Sequence, residues 1–170
     1  MNAIETEKHT KYSLELIFSE ADKMATELLG SIAENTNKSF ILIAIYFSIL
    51  SYSFFKVIEN HSFLYFILII GTIAGSLFLR KNIFPNTICF KGALPENMIQ
   101  EYFSSFSEES LDKEYLATQI ESYNCAMIEN KETIEKMVKR FKKSIYIVLF
   151  SFSLFGLISA FLFSAECLQL

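Results

Sequence analysis

The stretch Lys139-Arg140-Phe141-Lys142-Lys143, followed by SIYIVLFSFSLFGLISAFLF at 144–163, decides the fold. The second part is twenty consecutive residues without a charge. At about 1.5 Å per residue a helix of that length reaches roughly 30 Å, the thickness of a bilayer's hydrocarbon core. Upstream, no Gly or Pro interrupts the chain between Leu111 and Gly156. The polar segment 111–143 and the apolar run 144–163 therefore read as one long helix that enters a membrane, with the basic cluster at the boundary.

The polar segment has its own pattern. Ile120, Met127, Ile134 and Phe141 stand seven apart, interleaved with Leu116, Tyr123, Asn130 and Met137. This is a heptad seam with one polar member. Asn130 reads either as a helix-packing device that sets register or as a residue on the solvated edge of an imperfect seam.

Moving towards the N-terminus, Ser104–Ser110 is a polar hinge, and a Ser before Glu108-Glu109 reads as a helix start. Residues 82–94, with Pro85 and Gly92, resist a helical reading and suit a short strand pair or a surface loop. Pro95 suits the first turn of a short helix to Phe106, within a loop region 80–110. A second span covers 62–79 and contains Gly71 and Gly75, a GxxxG pattern that lets helices approach closely, here within one protomer. A first span covers 39–58, where Ala44, Ser48 and Ser51 offer a small-residue side. Residues 10–37 form an amphipathic helix with a stripe of Leu14, Ile17, Ala21, Met24 and Leu28, widened by Phe18, Ala25, Leu29 and Ile32. Residues 1–9 and 164–170 read as a flexible N-terminus and a short tail.

The whole-chain numbers agree with alternation of apolar spans and charged segments. The 170 residues are 52% hydrophobic and 20% charged, with 18 Phe and no Trp. A net charge of −4 gives no general attraction to nucleic acid, which is not expected as a partner. The start of the chain does not read as a signal peptide, so the first span would direct insertion. Basic residues sort by side: Lys38, Arg80, Lys81, Lys139, Arg140, Lys142 and Lys143 against Lys56 alone near the bilayer. The positive-inside rule then places the N-terminus and residues 81–143 in the cytoplasm and the C-terminus outside. The expected architecture is an all-α membrane protein of three transmembrane helices with cytosolic, coiled-coil-like extensions.

Catalytic chemistry is not expected. The three cysteines, Cys89, Cys125 and Cys167, lack metal-ligand spacing, and His9 and His61 stand alone. No residue is assigned to catalysis, to a cofactor or to a metal. Cys125 reads as a small packing residue, and Cys89 as a thiol with Lys91 the one cation near it in sequence. The spans carry no Asp, Glu, Lys or His at mid-depth, which argues against coupled transport. Arg80, Lys81, Lys139, Arg140, Lys142 and Lys143 read as contacts to lipid head groups or an anionic ligand, or as a positive-inside stop.

The layout resembles the small helical membrane effectors of bacterial anti-phage defence, the SLATT-like and the CBASS- or Pycsar-type transmembrane effectors. The likeness rests on a pre-membrane amphipathic helix ending in Asn35-Thr36-Asn37-Lys38, a two-span hairpin, and a long final helix with Gln119, Asn124 and Lys136 that runs into the last span. It implies a multi-pass protein of the bacterial inner membrane with no enzymatic activity and no cofactor. A cytosolic signal, from a soluble sensor protein or a nucleotide, would change the packing of a homo-oligomer and open a pore or perturb the lipid bilayer. The alternatives are a membrane scaffold that docks a soluble partner on its cytosolic helices, and an immunity-type protein against a pore-forming toxin.

Overall fold

A computed structural model describes residues 4–84, 88–92, 96 and 99–167. The fold is all-helical, with no strand among the described residues. Three helices dominate: α1 (Lys11–Asn60), α2 (Phe66–Ile83) and α3 (Glu108–Cys167). All three are long and apolar enough to cross a membrane.

Continuity is the first difference from the sequence reading. Segments 10–37 and 39–58 are not two helices but the single 50-residue α1, which passes Lys38 without a break. Lys38 pairs with Glu34 one turn earlier, 2.7 Å away, so the charge is accommodated on the helix surface. At the start of α1, Thr10 caps the helix: its Oγ1 accepts the Ser13 N–H at 3.1 Å. At the end, His61 takes φ 52°, the left-handed conformation that stops a helix. A 3-10 turn, Phe63–Tyr65, then leads into α2, which runs four residues past the expected end at 79. Segments 111–143 and 144–163 are one helix, as expected: α3 is 60 residues long and begins at Glu108. It starts where the Leu111 N–H donates to the Ser107 carbonyl at 2.8 Å, the first bond of the ladder.

Residues 4–9 hold a 3-10 turn, Thr6–Lys8, and the Ile4 N–H donates to Glu121 at 2.8 Å. Within the expected helix 95–106, Glu96 is helical and Glu101–Ser105 forms a 3-10 helix. Pro85 and Pro95 lie outside the described residues, and Ile88–Phe90 has no regular secondary structure. Helix α3 continues through most of the expected tail, to Cys167.

The chain divides into two compact units, 1–33 with 87–134, and 34–86 with 135–170. In the first unit α1 and α3 run parallel, because Lys11 meets Asp112 and Asp22 meets Tyr123, both 101 residues apart. Its core holds Leu14, Ala21, Ala25, Ile32, Ala117, Ile120 and Tyr123. Ala21 and Ala25 leave room for the Tyr123 ring, which also takes Phe18 edge-on at 5.4 Å. The buried stripe of α1 is therefore centred on 14-18-21-25, not on 14-17-21-24 as the wider apolar pattern suggested. Ile17 and Met24 are exposed.

In the second unit α2 packs antiparallel to both long helices. Its start meets them through Tyr65, which contacts Tyr52 and Phe155, and its end through Asn82, which reaches Ser39 and Met137. The unit has its polarity inside out. Phe40, Phe47, Phe54, Phe150, Phe161 and Phe163 are more than half exposed, whereas Ser39, Ser53, Thr72, Ser144 and Ser151 are buried. Apolar surface on this scale requires a non-aqueous cover.

Candidate functional site

The second unit is held together by hydroxyls and glycines. The Ser144 hydroxyl donates to the Gly75 carbonyl at 2.9 Å and lies 3.1 Å from the Tyr46 hydroxyl. Ser144 has one proton, so Tyr46 donates in that second bond. One short side chain thereby joins all three helices. Gly75 permits this approach, since a Cβ there would stand 2.7 Å from Val148 Cγ2 and 3.0 Å from Tyr46 Cε2. A Cβ at Gly71 would fall inside the Ser151 side chain. Both glycines thus face α3 of the same chain.

The hydroxyl residues were missed in sequence, although the signal is present. On α3, Tyr123, Asn130, Met137, Ser144 and Ser151 are all buried at intervals of seven. On α1 the same holds for Ala25, Ile32, Ser39, Tyr46 and Ser53. The heptad does not stop at the charge boundary but changes from apolar to hydroxyl. The small-residue side anticipated at Ala44, Ser48 and Ser51 is exposed instead. Two buried polar atoms, Ser53 Oγ and Asn82 Oδ1, have no partner among the described residues.

In the first unit, residues 88–92 form a clasp on the α1/α3 pair. Asn130 is buried in the heptad row of α3, and its side-chain amide is turned to the 88–92 segment. Its Nδ2 donates to the Cys89 carbonyl at 2.8 Å, and its Oδ1 accepts the Cys89 N–H at 3.0 Å. One side-chain amide thus satisfies both backbone groups of Cys89, and its burial rules out the solvated-edge reading of Asn130. The Ser122 hydroxyl donates to the Gly92 carbonyl at 3.1 Å, and Gly92 has φ 94°, a conformation suited to glycine. Towards α1, Lys91 reaches Asp22 and Thr26, each at 2.9 Å, while the Tyr123 hydroxyl donates to the same Asp22 oxygen at 3.0 Å.

Lys91 therefore faces Asp22 and is no partner for the Cys89 thiol. That thiol donates to Glu129 at 2.8 Å, and the carboxylate, followed by burial, pushes its pKa up. Cys89 is consequently held as the less reactive thiol form, while Cys125, expected to pack, is exposed. The hydrogen bond from Lys91, then that from Tyr123, holds the Asp22 carboxyl below its usual range. Lys91 is raised by the same pair.

The basic residues divide into two groups. Lys139, Lys142 and Lys143 are exposed around α3. Arg140 is half-buried and, with Arg80 and Lys81 at the end of α2, lines a cavity of about 740 Å³. No carboxylate lies within salt-bridge distance of any of these six cations among the described residues. No group of three His, Cys, Asp or Glu among the described residues stands close enough to hold a metal ion.

Together these features define an all-helical protein with three candidate membrane-crossing helices, two of which also build a charged helix pair. No family model, curated protein or solved structure matches the chain.

Proposed function

We propose that the protein is a non-enzymatic membrane effector of the kind found in bacterial anti-phage defence. It would be a multi-pass protein of the inner membrane with a cytoplasmic N-terminus and an external C-terminus, acting as a homo-oligomer. The observation that carries the reading is the unbroken passage of α1 and α3 from a clasped, charged unit into an apolar unit whose seam consists of hydroxyls. In the structure described, the hydroxyls of Ser39, Tyr46, Ser144 and Ser151 bond to one another or to backbone, and many of the unit's large apolar side chains are exposed. That arrangement suits an idle state in lipid. A signal that loosens the clasp around 88–92, delivered by a soluble sensor or a nucleotide, would alter the pairing of the two long helices. Both helices run unbroken through the junction, with Gly30 the one glycine of α1 near it. Separation of the spans would turn Ser39, Ser53, Ser144 and Ser151 towards water and make the bilayer leaky.

Membrane potential, followed by a voltage-sensitive dye during induced expression under triggering conditions, tests the reading. Depolarisation is expected, and two glycines inserted after Lys136 should abolish it while membrane insertion is retained. An unchanged potential under every trigger overturns the proposal.

A second reading, a scaffold that docks a soluble partner, is favoured by one feature. Leu16, Ile17, Met24, Ile120 and Met127 line an uncovered apolar groove of about 550 Å³ on the first unit. Met24→Glu would then abolish partner capture and leave membrane integrity untouched.

A further inference from the structure

From the cavity at the end of α2, we infer a binding site for the phosphate head group of an anionic phospholipid, built by Arg80, Lys81 and Arg140. Three features argue for it. The three cations come from two helices and line one cavity of about 740 Å³, the size of a small-molecule site. None of them has a carboxylate partner among the described residues, so three positive charges, Arg80 and Lys81 exposed and Arg140 half-buried, are available to an anion from solution or lipid. The remaining lining is Leu77, Phe78 and Phe84, exposed apolar side chains on the same wall. Leu77 and Phe78 lie one turn deeper along α2 than Arg80 and Lys81, on the apolar side of the boundary. A ligand that satisfies the whole cavity therefore has a phosphate at one end and a hydrocarbon chain at the other.

Simpler explanations cover only part of the group. Arg80 and Lys81 complement the negative end of the α2 dipole. Arg140 lies near the middle of the 60-residue α3 and has no helix end to complement. A positive-inside signal would be served as well by the exposed Lys139, Lys142 and Lys143, which do not line the cavity. Basic pockets between spans on the cytoplasmic side are the common means of holding doubly charged head groups, and planar guanidinium groups suit phosphate oxygens in pairs. The site would anchor the end of α2 and the adjacent part of α3 to one lipid and so tie the second unit to the head-group layer. This inference rests on the membrane-embedded reading of that unit.

The test uses the full chain in detergent micelles, where no bilayer surface potential exists. Lipid binding is measured by native mass spectrometry with tetraoleoyl cardiolipin, dioleoyl phosphatidylglycerol, dioleoyl phosphatidylcholine and inorganic phosphate as separate probes. Cardiolipin and phosphatidylglycerol should bind in preference to phosphatidylcholine. Arg140→Gln should weaken cardiolipin binding about tenfold, the worth of one charge-assisted hydrogen bond. Lys81→Gln should weaken it in the same direction, and Lys142→Gln, which loses the same charge outside the cavity, should leave it unchanged. Circular dichroism and gel filtration confirm that each variant is folded. Equal losses in Arg140→Gln and Lys142→Gln would overturn the site, as would inorganic phosphate competing as well as lipid. Carbonate extraction of native membranes separates the two claims. Release of the chain would sink the membrane reading itself, whereas retention without lipid selectivity would sink this inference alone.

Discussion

Gly71 and Ser151 occupy one space, and that makes them a sharp test of packing. Gly71→Ala places a methyl group within the Ser151 side chain and should cost about 1–3 kcal/mol, as overpacked cores do. Because the clash involves Ser151 Cβ as well as Oγ, Ser151→Ala should not restore stability, whereas Ser151→Gly should. Thermal unfolding in detergent of the two double variants decides this. A second residue-scale expectation concerns Cys89. Glu129 raises the thiol's pKa, so Glu129→Gln should lower it and speed alkylation by iodoacetamide at mildly alkaline pH. The exposed Cys125 serves as the internal reference, and a pH–rate profile unmoved by the substitution would show that Glu129 does not control the thiol. Little of this was legible in the sequence. GxxxG announces a close approach but not its partner, and Cys89 is 40 residues from the carboxylate that governs it.

Among the elements, the clasp at 88–92 invites substitution first. Asn130→Ala leaves the Cys89 N–H and carbonyl without partners, at about 1–3 kcal/mol for each group that stays buried. Amide exchange at 88–92 should quicken. The Asp22–Lys91 contact adds a pH dependence. Asp22 is depressed, so its contribution is present above the ordinary value of 3.8 and is lost as pH falls through its lower folded value. Lys91 is raised, so its contribution is present below 10.5 and is lost as pH rises through its higher folded value. Protection of 88–92, corrected for intrinsic exchange, should therefore be flat around neutrality and fail only at those extremes. A midpoint near neutral pH would contradict the pairing. The existence of the three apolar helices was plain from uncharged run lengths. The continuity of 111–163 was legible too, from the absence of Gly and Pro; that of α1 was not, because Lys38 looks like a boundary in sequence, yet a charge on a helix surface breaks no backbone hydrogen bond. The choice between the 17/24 and 18/25 rows of α1 was equally hidden, since both rows are apolar and tertiary contact alone selects one. Asn130 was visible as an anomaly in the heptad, but its partner is the backbone of Cys89, 41 residues away.

At the scale of the whole molecule, the expected orientation is checkable with thiol chemistry. The exposed Cys125 should react with a membrane-impermeant maleimide in inverted inner-membrane vesicles and not in intact spheroplasts. A His61→Cys variant in a background without native cysteines should show the reverse. Labelling of both from one side would refute the three-span topology. The parallel pairing of α1 with α3 also has a consequence in time. Lys11 waits for Asp112 and Asp22 for Tyr123, each contact closing a loop of 101 residues. At about 5–20 residues per second of synthesis, the apolar stripe from Leu14 to Ile32 stands bare for about 5–20 s after it emerges. During that interval the first span is already available for insertion while its charged extension has nothing to fold against. Newborn chains are then exposed to chaperones, proteases and one another at α1, and slower translation between 33 and 111 should raise the fraction lost before α3 arrives.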